Sequence, residues 1–391
     1  MRSYQLSPMT WIDYDHILHA HSHVALLGWI FIGVFIIFLT LSWKKIEARK
    51  QASIILLALF TSSLLMFFAF LHQGYGLFSI ALSTIHIFVE YWAGIFIVKH
   101  LKKQRMPKSA KWFIIGGVIA LFISSIGPYA LAIISATGGK DLVWYDMSVY
   151  FYLHFQYNGW LTLMLIGLFI AILAERKIDM NESLLRNAFW TYFIAIFPGY
   201  FLSALWADLG LTVQVIATIG IIGQWIGVVL VILAFKDAFK QARTEFSGLT
   251  WWMLLLTFAL LLTKSTMELG MIHPGLAELV NTTRSVIIGY LHLTLLGFIS
   301  IFILVQYQMQ GITKVNRYYT YSFTIFFSGF LLNELLLFLD ALGQWTSLFT
   351  ILYFNEGLLL ASILLGTGVV MLTFTVSPHD QSKTDHRFIG R

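Results

Sequence analysis

The stretch HAHSHVALLGW, residues 19–29, sets His19, His21 and His23 at the opening of a strongly apolar run. Neutral imidazole is the usual nitrogen ligand for haem iron and for copper. On a helix His16, His19 and His23 share one face at i, i+3, i+7, while His21 lies about 200° round from His23. His21 and His23 therefore could not serve one ligand directly, but could serve two sites on opposite sides of one helix. His16 and His19 read as wetted residues at or above the membrane interface.

Related motifs recur. HVALLGW begins at His23, HFQYNGW at His154 and HLTLLGF at His292, each a His, four residues, a Gly and an aromatic, at intervals of 131 and 138 residues. Each opens one apolar stretch in every four, the pattern of a pseudo-symmetric bundle. The glycine could let helices approach closely or leave room for a flat ligand. His86 is followed at i+4 by Glu90, so the two share a helix face. Lys264 and Glu268 form a second i,i+4 pair with the look of a structural ion pair, and Asn333–Glu334 and Asn355–Glu356 add polar groups to later stretches. A single buried His most often bonds a backbone carbonyl or a hydroxyl. Several at one depth on different helices point to function, because ionisable groups inside a membrane are costly.

The elements that position these residues are membrane helices. Apolar residues make up 58% of the 391-residue chain and charged residues 11%, which excludes an ordinary soluble domain. About eleven apolar stretches are long enough to span a bilayer, with twelve as the alternative count: 18–43, 51–72, 78–99, 111–135, 148–174, 187–207, 211–236, 250–271, 285–309, 317–341 and 347–376. The chain thus reads as one polytopic all-α membrane domain, with weak repeats starting near 18, 148 and 285. Loops rich in Lys and Arg alternate with loops nearly free of them, and the tail SPHDQSKTDHRFIGR is basic. The positive-inside rule then places the N-terminus outside and the C-terminus inside a plasma membrane. His23, His86, His154 and His292 fall in a layer about 8–12 Å below the outer surface at roughly 1.5 Å per residue. The short polar N-terminus gives no sign of a cleaved signal. With no Cys, disulfides, thiolate ligands and attached haem c are excluded. The net charge of +6 reflects loops on one side and does not indicate nucleic acid.

On these residues the chain resembles a reduced, divergent haem-copper oxidase catalytic subunit, and the NnrS haem-copper membrane proteins. HSHVALLGW is similar to the His-x-His helix of the C-type oxidases, and YLHLTLLGF to the His-bearing helix of the NnrS group. That superfamily has twelve helices with pseudo-threefold symmetry and ligands near the outer side. Removing its first helix leaves the eleven spans read here. The resemblance implies a haem b held by His21 or His23 together with His292. It implies His154 as a copper ligand, Tyr157 near a redox tyrosine, and Arg284 as a partner for a haem propionate. Two departures matter: the sixth stretch, NAFWTYFIAIFPGYFLSALW, has no histidine where the superfamily carries adjacent copper ligands, and the ninth offers only His292. A full three-histidine copper centre is therefore not expected. His86 and Glu90 are the alternative metal ligands, a His-plus-carboxylate set suited to non-haem iron, with Glu90 and Tyr157 as catalytic candidates.

The expected function is a membrane haem protein, with copper or non-haem iron as a further metal, in redox chemistry or the handling of oxygen or nitric oxide. As an enzyme it would be an oxidoreductase of the terminal oxidase or nitric oxide reductase type. Its partners would be the lipid bilayer, a cytochrome, cupredoxin or quinol donor, and a partner subunit. The alternatives are a non-catalytic haem- or copper-binding protein in sensing or stress, and a proton-coupled transporter.

Overall fold

The computed structural model describes residues 2–8, 10–138, 143–207 and 209–376. The basic tail read from the sequence lies outside them. Among the described residues eleven helices are long and apolar enough to cross a membrane: span 1 (Tyr14–Lys45), span 2 (Arg49–Gln73), span 3 (Leu77–Leu101), span 4 (Lys108–Ala136), span 5 (Val143–Glu175), span 6 (Glu182–Ala207), span 7 (Leu211–Ala234), span 8 (Gly248–Gly270), span 9 (Arg284–Met309), span 10 (Arg317–Thr346) and span 11 (Phe354–Thr373). No strand forms among the described residues. Hydrocarbon offers backbone groups no partner, and a helix satisfies them within one segment.

The last span begins at Phe354, not 347. Ser347 and Tyr353 both take positive φ, 55° and 59°, so the chain between spans 10 and 11 leaves helical geometry at each end. A five-residue helix, Arg2–Leu6, precedes span 1 and packs on span 11. The end of the bundle where span 1 begins is called the upper end below.

Spans 1, 5 and 9 touch one another in the middle. Spans 2–4 run from span 1 to span 5, spans 6–8 run from span 5 to span 9, and span 10 flanks span 9. Span 5 is the most enclosed, with 94% of its apolar window buried. Gly33 brings span 1 against span 9, where a Cβ would meet Ile303 at 3.3 Å and the Tyr307 hydroxyl donates to the Gly33 carbonyl at 3.3 Å. Aromatic rings fill the rest, Phe31 on Trp160 at 5.2 Å and Phe169 on Phe302 at 5.4 Å between centroids.

Candidate functional site

His23, His154 and His292 each run directly into a seven-residue π-helix: Val24–Ile30, Phe155–Leu161 and Leu293–Ile299. Such wide turns are rare and cluster at functional sites. Two share the same side-chain support. The Thr162 hydroxyl donates to the Tyr157 carbonyl at 2.6 Å, and the Ser300 hydroxyl to the Leu295 carbonyl at 2.8 Å. In both, the hydroxyl stands eight residues after the histidine; span 1 has Phe31 there. Beside two of the motif glycines the space is filled by neighbours. A Cβ on Gly159 would lie 2.6 Å from Ala120, and one on Gly297 2.7 Å from Phe330. These glycines serve helix approach.

The histidines sit seven to eleven residues into their spans, roughly 10–17 Å along the axis. They separate into three neighbourhoods.

The first lies between spans 1 and 9. Below it the two spans close on each other through Gly33, and the Trp29 indole donates to Ser300 at 3.1 Å. Above Trp29, toward the upper end, the two spans carry His21 and His292. His21 is exposed although protein crowds most sides of it, the mark of a crevice. Its ring makes no hydrogen bond among the described residues. Half-buried His292 interacts electrostatically with His21. Its Nδ1 faces the Asn333 amide at 3.4 Å, and that amide donates to Glu334 at 3.0 Å. Arg2, on the N-terminal helix, acts on both histidines and stands beside Arg284. Desolvation, with Arg284 adding a smaller push, holds the Arg2 guanidinium below its ordinary range. Two guanidiniums that interact electrostatically near His21 and His292 suit a carboxylate-bearing ligand.

The second neighbourhood is on the other face of span 1. His23 donates from Nδ1 to the His19 carbonyl at 2.9 Å and stacks on Phe70 at 4.1 Å. It interacts electrostatically with His86 on span 3. His86 Nδ1 meets the Ser62 hydroxyl at 2.7 Å, and Nε2 lies 3.8 Å from Glu90 Oε1. Both residues are buried, and neither Nε2 nor Oε1 has a hydrogen-bond partner.

The third surrounds His154 on span 5. His154 Nε2 donates to the Ile196 carbonyl at 2.8 Å, and Nδ1 faces the Asn158 amide at 3.2 Å. Lys264 Nζ pairs with Glu268 Oε1 at 3.0 Å and also donates to Asn158 Oδ1. Glu268 accepts from the Tyr290 hydroxyl at 2.5 Å, and the Tyr192 hydroxyl donates to the Asn158 carbonyl at 3.0 Å. Tyr157 packs against Tyr290 at 6.0 Å and lies under the Lys264 ammonium at 5.7 Å.

Of the residues singled out in the sequence, His21 interacts electrostatically with His292 and His23 with His86, and His86 lies 3.8 Å from Glu90. His154 and Tyr157 stand apart, inside the Lys264–Glu268 network. Among the described residues no group of three His, Asp or Glu side chains could hold a metal ion. His154 has both ring nitrogens engaged by protein, so it does not fit as a copper ligand here. Arg2, Asn158, Tyr192 and Tyr290 escaped the sequence reading. Asn158 carried a signal, since it follows His154 at i+4. No family model matches the chain, and no curated protein matches it.

Proposed function

We propose that this chain is an integral membrane haem protein with the helix arrangement of the haem-copper oxidase superfamily, holding one haem b between His21 and His292. The carrying observation is that His21 on span 1 interacts electrostatically with His292 on span 9, above the Trp29–Ser300 hydrogen bond, while the His21 ring makes no hydrogen bond among the described residues. The three central spans and the π-turn after each motif histidine support the superfamily-like arrangement.

The residues fit the group. His21 and His292 would hold its iron, and Arg284 with Arg2 would pair with its carboxylates. Bound there, the group supplies one-electron redox chemistry. The protein orients it between two rigid helices and, by the Gly33–Ile303 seam below, keeps water from reaching it from the lower end. With the N-terminus outside a plasma membrane, the crevice faces an external cytochrome or cupredoxin, or quinol in the bilayer.

A second, non-catalytic reading, as a haem protein of sensing or stress protection, is favoured by the state of His154. Its bonds to Ile196 and Asn158 leave no lone pair for a second metal beside the haem.

The test is an optical spectrum of the detergent-purified full chain, oxidised and reduced, for the wild type and three variants. A sharp reduced α-band lost in His21→Ala and in His292→Ala, but kept in His23→Ala, is the expected outcome. Protein free of haem, or a band unchanged in both variants, overturns the proposal. Oxygen or nitric oxide consumption with an artificial donor separates the enzymatic reading from the non-catalytic one.

A further inference from the structure

The lower end of the bundle carries its charge unevenly. The loops from span 1 to 2 and from span 3 to 4, with the helix turns flanking them (residues 43–50 and 99–111), hold ten Lys and Arg against one acid, Glu47. The corresponding segments from span 5 to 6 and from span 7 to 8 (175–186 and 236–245) hold six against five acids. There the charges pair among themselves, Arg176 with Glu245 and Lys240 with Asp237, each at 3.2 Å. A general excess of Lys and Arg on one side is enough to set topology. It does not call for ten of them under the first four spans.

The two basic loops meet, because Lys103 on the second donates to Glu47 on the first at 3.0 Å. That bond takes the one acid these segments contain. Lys44 and Lys45 act on Glu175, and Arg49 lies over the Trp43 ring at 5.4 Å. Among the described residues Lys50, Lys99, Lys102, Arg105, Lys108 and Lys111 make no ion pair. All are exposed except half-buried Lys111.

Helix ends in the same region add to the excess. Spans 2, 4, 6, 8 and 10 start at the lower end. Spans 6, 8 and 10 are capped by Asn181, Ser247 and Asn316, whose side chains accept from the backbone N–H groups of Leu184, Thr250 and Tyr319 at 3.0, 3.2 and 2.8 Å. Spans 2 and 4 follow Ala48 and Pro107, with no side-chain cap and no acid in the first turn. Their first four residues instead include Arg49 and Lys50, and Lys108 and Lys111. The N-terminal end of a helix is itself positive, so like charge is set on like, and the first N–H groups still lack acceptors. An anion relieves both.

We propose that this region is a docking surface for the headgroups of anionic phospholipids, whose phosphates the six unpaired side chains hold. Placement selects the partner. Lys99 stands in the last turn of span 3 and Lys108 opens span 4, so both lie at the level where a span leaves the hydrocarbon. Lipid phosphates occupy that level already, whereas an acidic soluble protein would have to displace them. Each Lys or Arg there adds to the attraction of anionic lipid, and the Arg105 guanidinium matches two phosphate oxygens at once. The surface needs only the bilayer and stands apart from the haem reading.

The experiment is native mass spectrometry of the full chain in detergent, equilibrated with phosphatidylglycerol or phosphatidylcholine. The wild type should retain phosphatidylglycerol in preference. That preference should fade at about 1 M salt, where the screening length falls from about 8 to about 3 Å. The variant Lys99→Gln/Lys102→Gln/Arg105→Gln/Lys108→Gln should lower phosphatidylglycerol retention about tenfold or more. A matched variant, Lys177→Gln/Arg186→Gln/Lys236→Gln/Arg243→Gln, removes as many charges from the other segments and should keep it. Equal loss in both variants overturns the proposal, as does a wild type with no preference between the two lipids or a preference untouched by salt. Soluble polyglutamate retained as strongly as phosphatidylglycerol also overturns it, in favour of an acidic protein partner. If the first variant fails to insert, Lys102→Gln/Arg105→Gln, confined to the loop between spans 3 and 4, gives the same test with a smaller fall.

Discussion

The surroundings of His154 and of His292 start from one motif and end in opposite states. Both histidines precede a seven-residue π-turn with a hydroxyl eight residues on, and both motif glycines sit tight against a neighbouring helix. Around His154 every polar atom named finds protein: the Ile196 carbonyl, the Asn158 amide, the Lys264–Glu268 pair and two tyrosine hydroxyls. Around His292 only the Asn333 amide approaches the ring, at 3.4 Å, and its counterpart His21 makes no side-chain hydrogen bond among the described residues. A motif therefore makes a site only where packing leaves its donor atoms free. A buried network that satisfies itself has become structure.

The strongest way to break this contrast is to remove one charge from the closed network. Lys264→Met leaves Glu268 buried without its cation and is expected to destabilise the protein by about 3–5 kcal/mol. The double variant Lys264→Met/Glu268→Leu should recover most of that loss in a detergent thermal melt. A Lys264→Met protein that melts with the wild type would show the network to be incidental.

Next comes a direct exchange of roles. His154→Ala should cost about 1–3 kcal/mol, because the Ile196 carbonyl and the Asn158 amide lose their partner, while haem content stays unchanged. His21→Ala should do the reverse, with haem absorbance lost and the apparent melting temperature moved only by the loss of bound ligand. Haem absorbance that falls in His154→Ala as far as in His21→Ala would erase the distinction between the two regions.

The π-turns offer a sharper, smaller probe. Thr162→Val strips the hydroxyl from the Tyr157 carbonyl and leaves a buried acceptor unpaired, at about 1–3 kcal/mol. Ser300→Ala should cost less in stability, because Ser300 also accepts from Trp29 at a half-open seam, and should loosen the floor of the crevice. Comparing the two melts, with the haem band of Ser300→Ala, ranks the closed turn against the open one.

The smallest effect is expected at the lower end, on the loops. The Lys103 ammonium at 3.0 Å holds the exposed Glu47 carboxyl below its usual range. A lowered carboxyl favours the folded state above its unfolded pKa, and that contribution is lost as pH falls through the lowered value. Water screens both side chains, so Glu47→Gln should leave the melting temperature at neutral pH unchanged.

Much of this was legible in the chain. Eleven spans followed from runs of Leu, Ile and Phe, which differ from the helices mostly by a few residues at each end, where polar residues extend the turn. The Lys264–Glu268 pair followed from i,i+4 spacing alone. The opposed placing of His21 and His23 followed from helical periodicity, and the structure sets one against His292 and the other against His86. The π-turns were not legible as such, because the step from i→i−4 to i→i−5 bonding depends on what packs around the turn. Nor was the location of Arg2, carried by a short helix docked on the far end of the chain.

The sequence by itself determined which stretches are long and apolar enough to cross a bilayer and which side chains share a helix face, because hydropathy and the 3.6-residue period are local properties. Only the tertiary structure decided which of those histidines keep a free nitrogen. That outcome depends on whether the neighbouring helix brings a carbonyl, as Ile196 does to His154, or brings no hydrogen-bond partner, as span 9 does at His21 among the described residues.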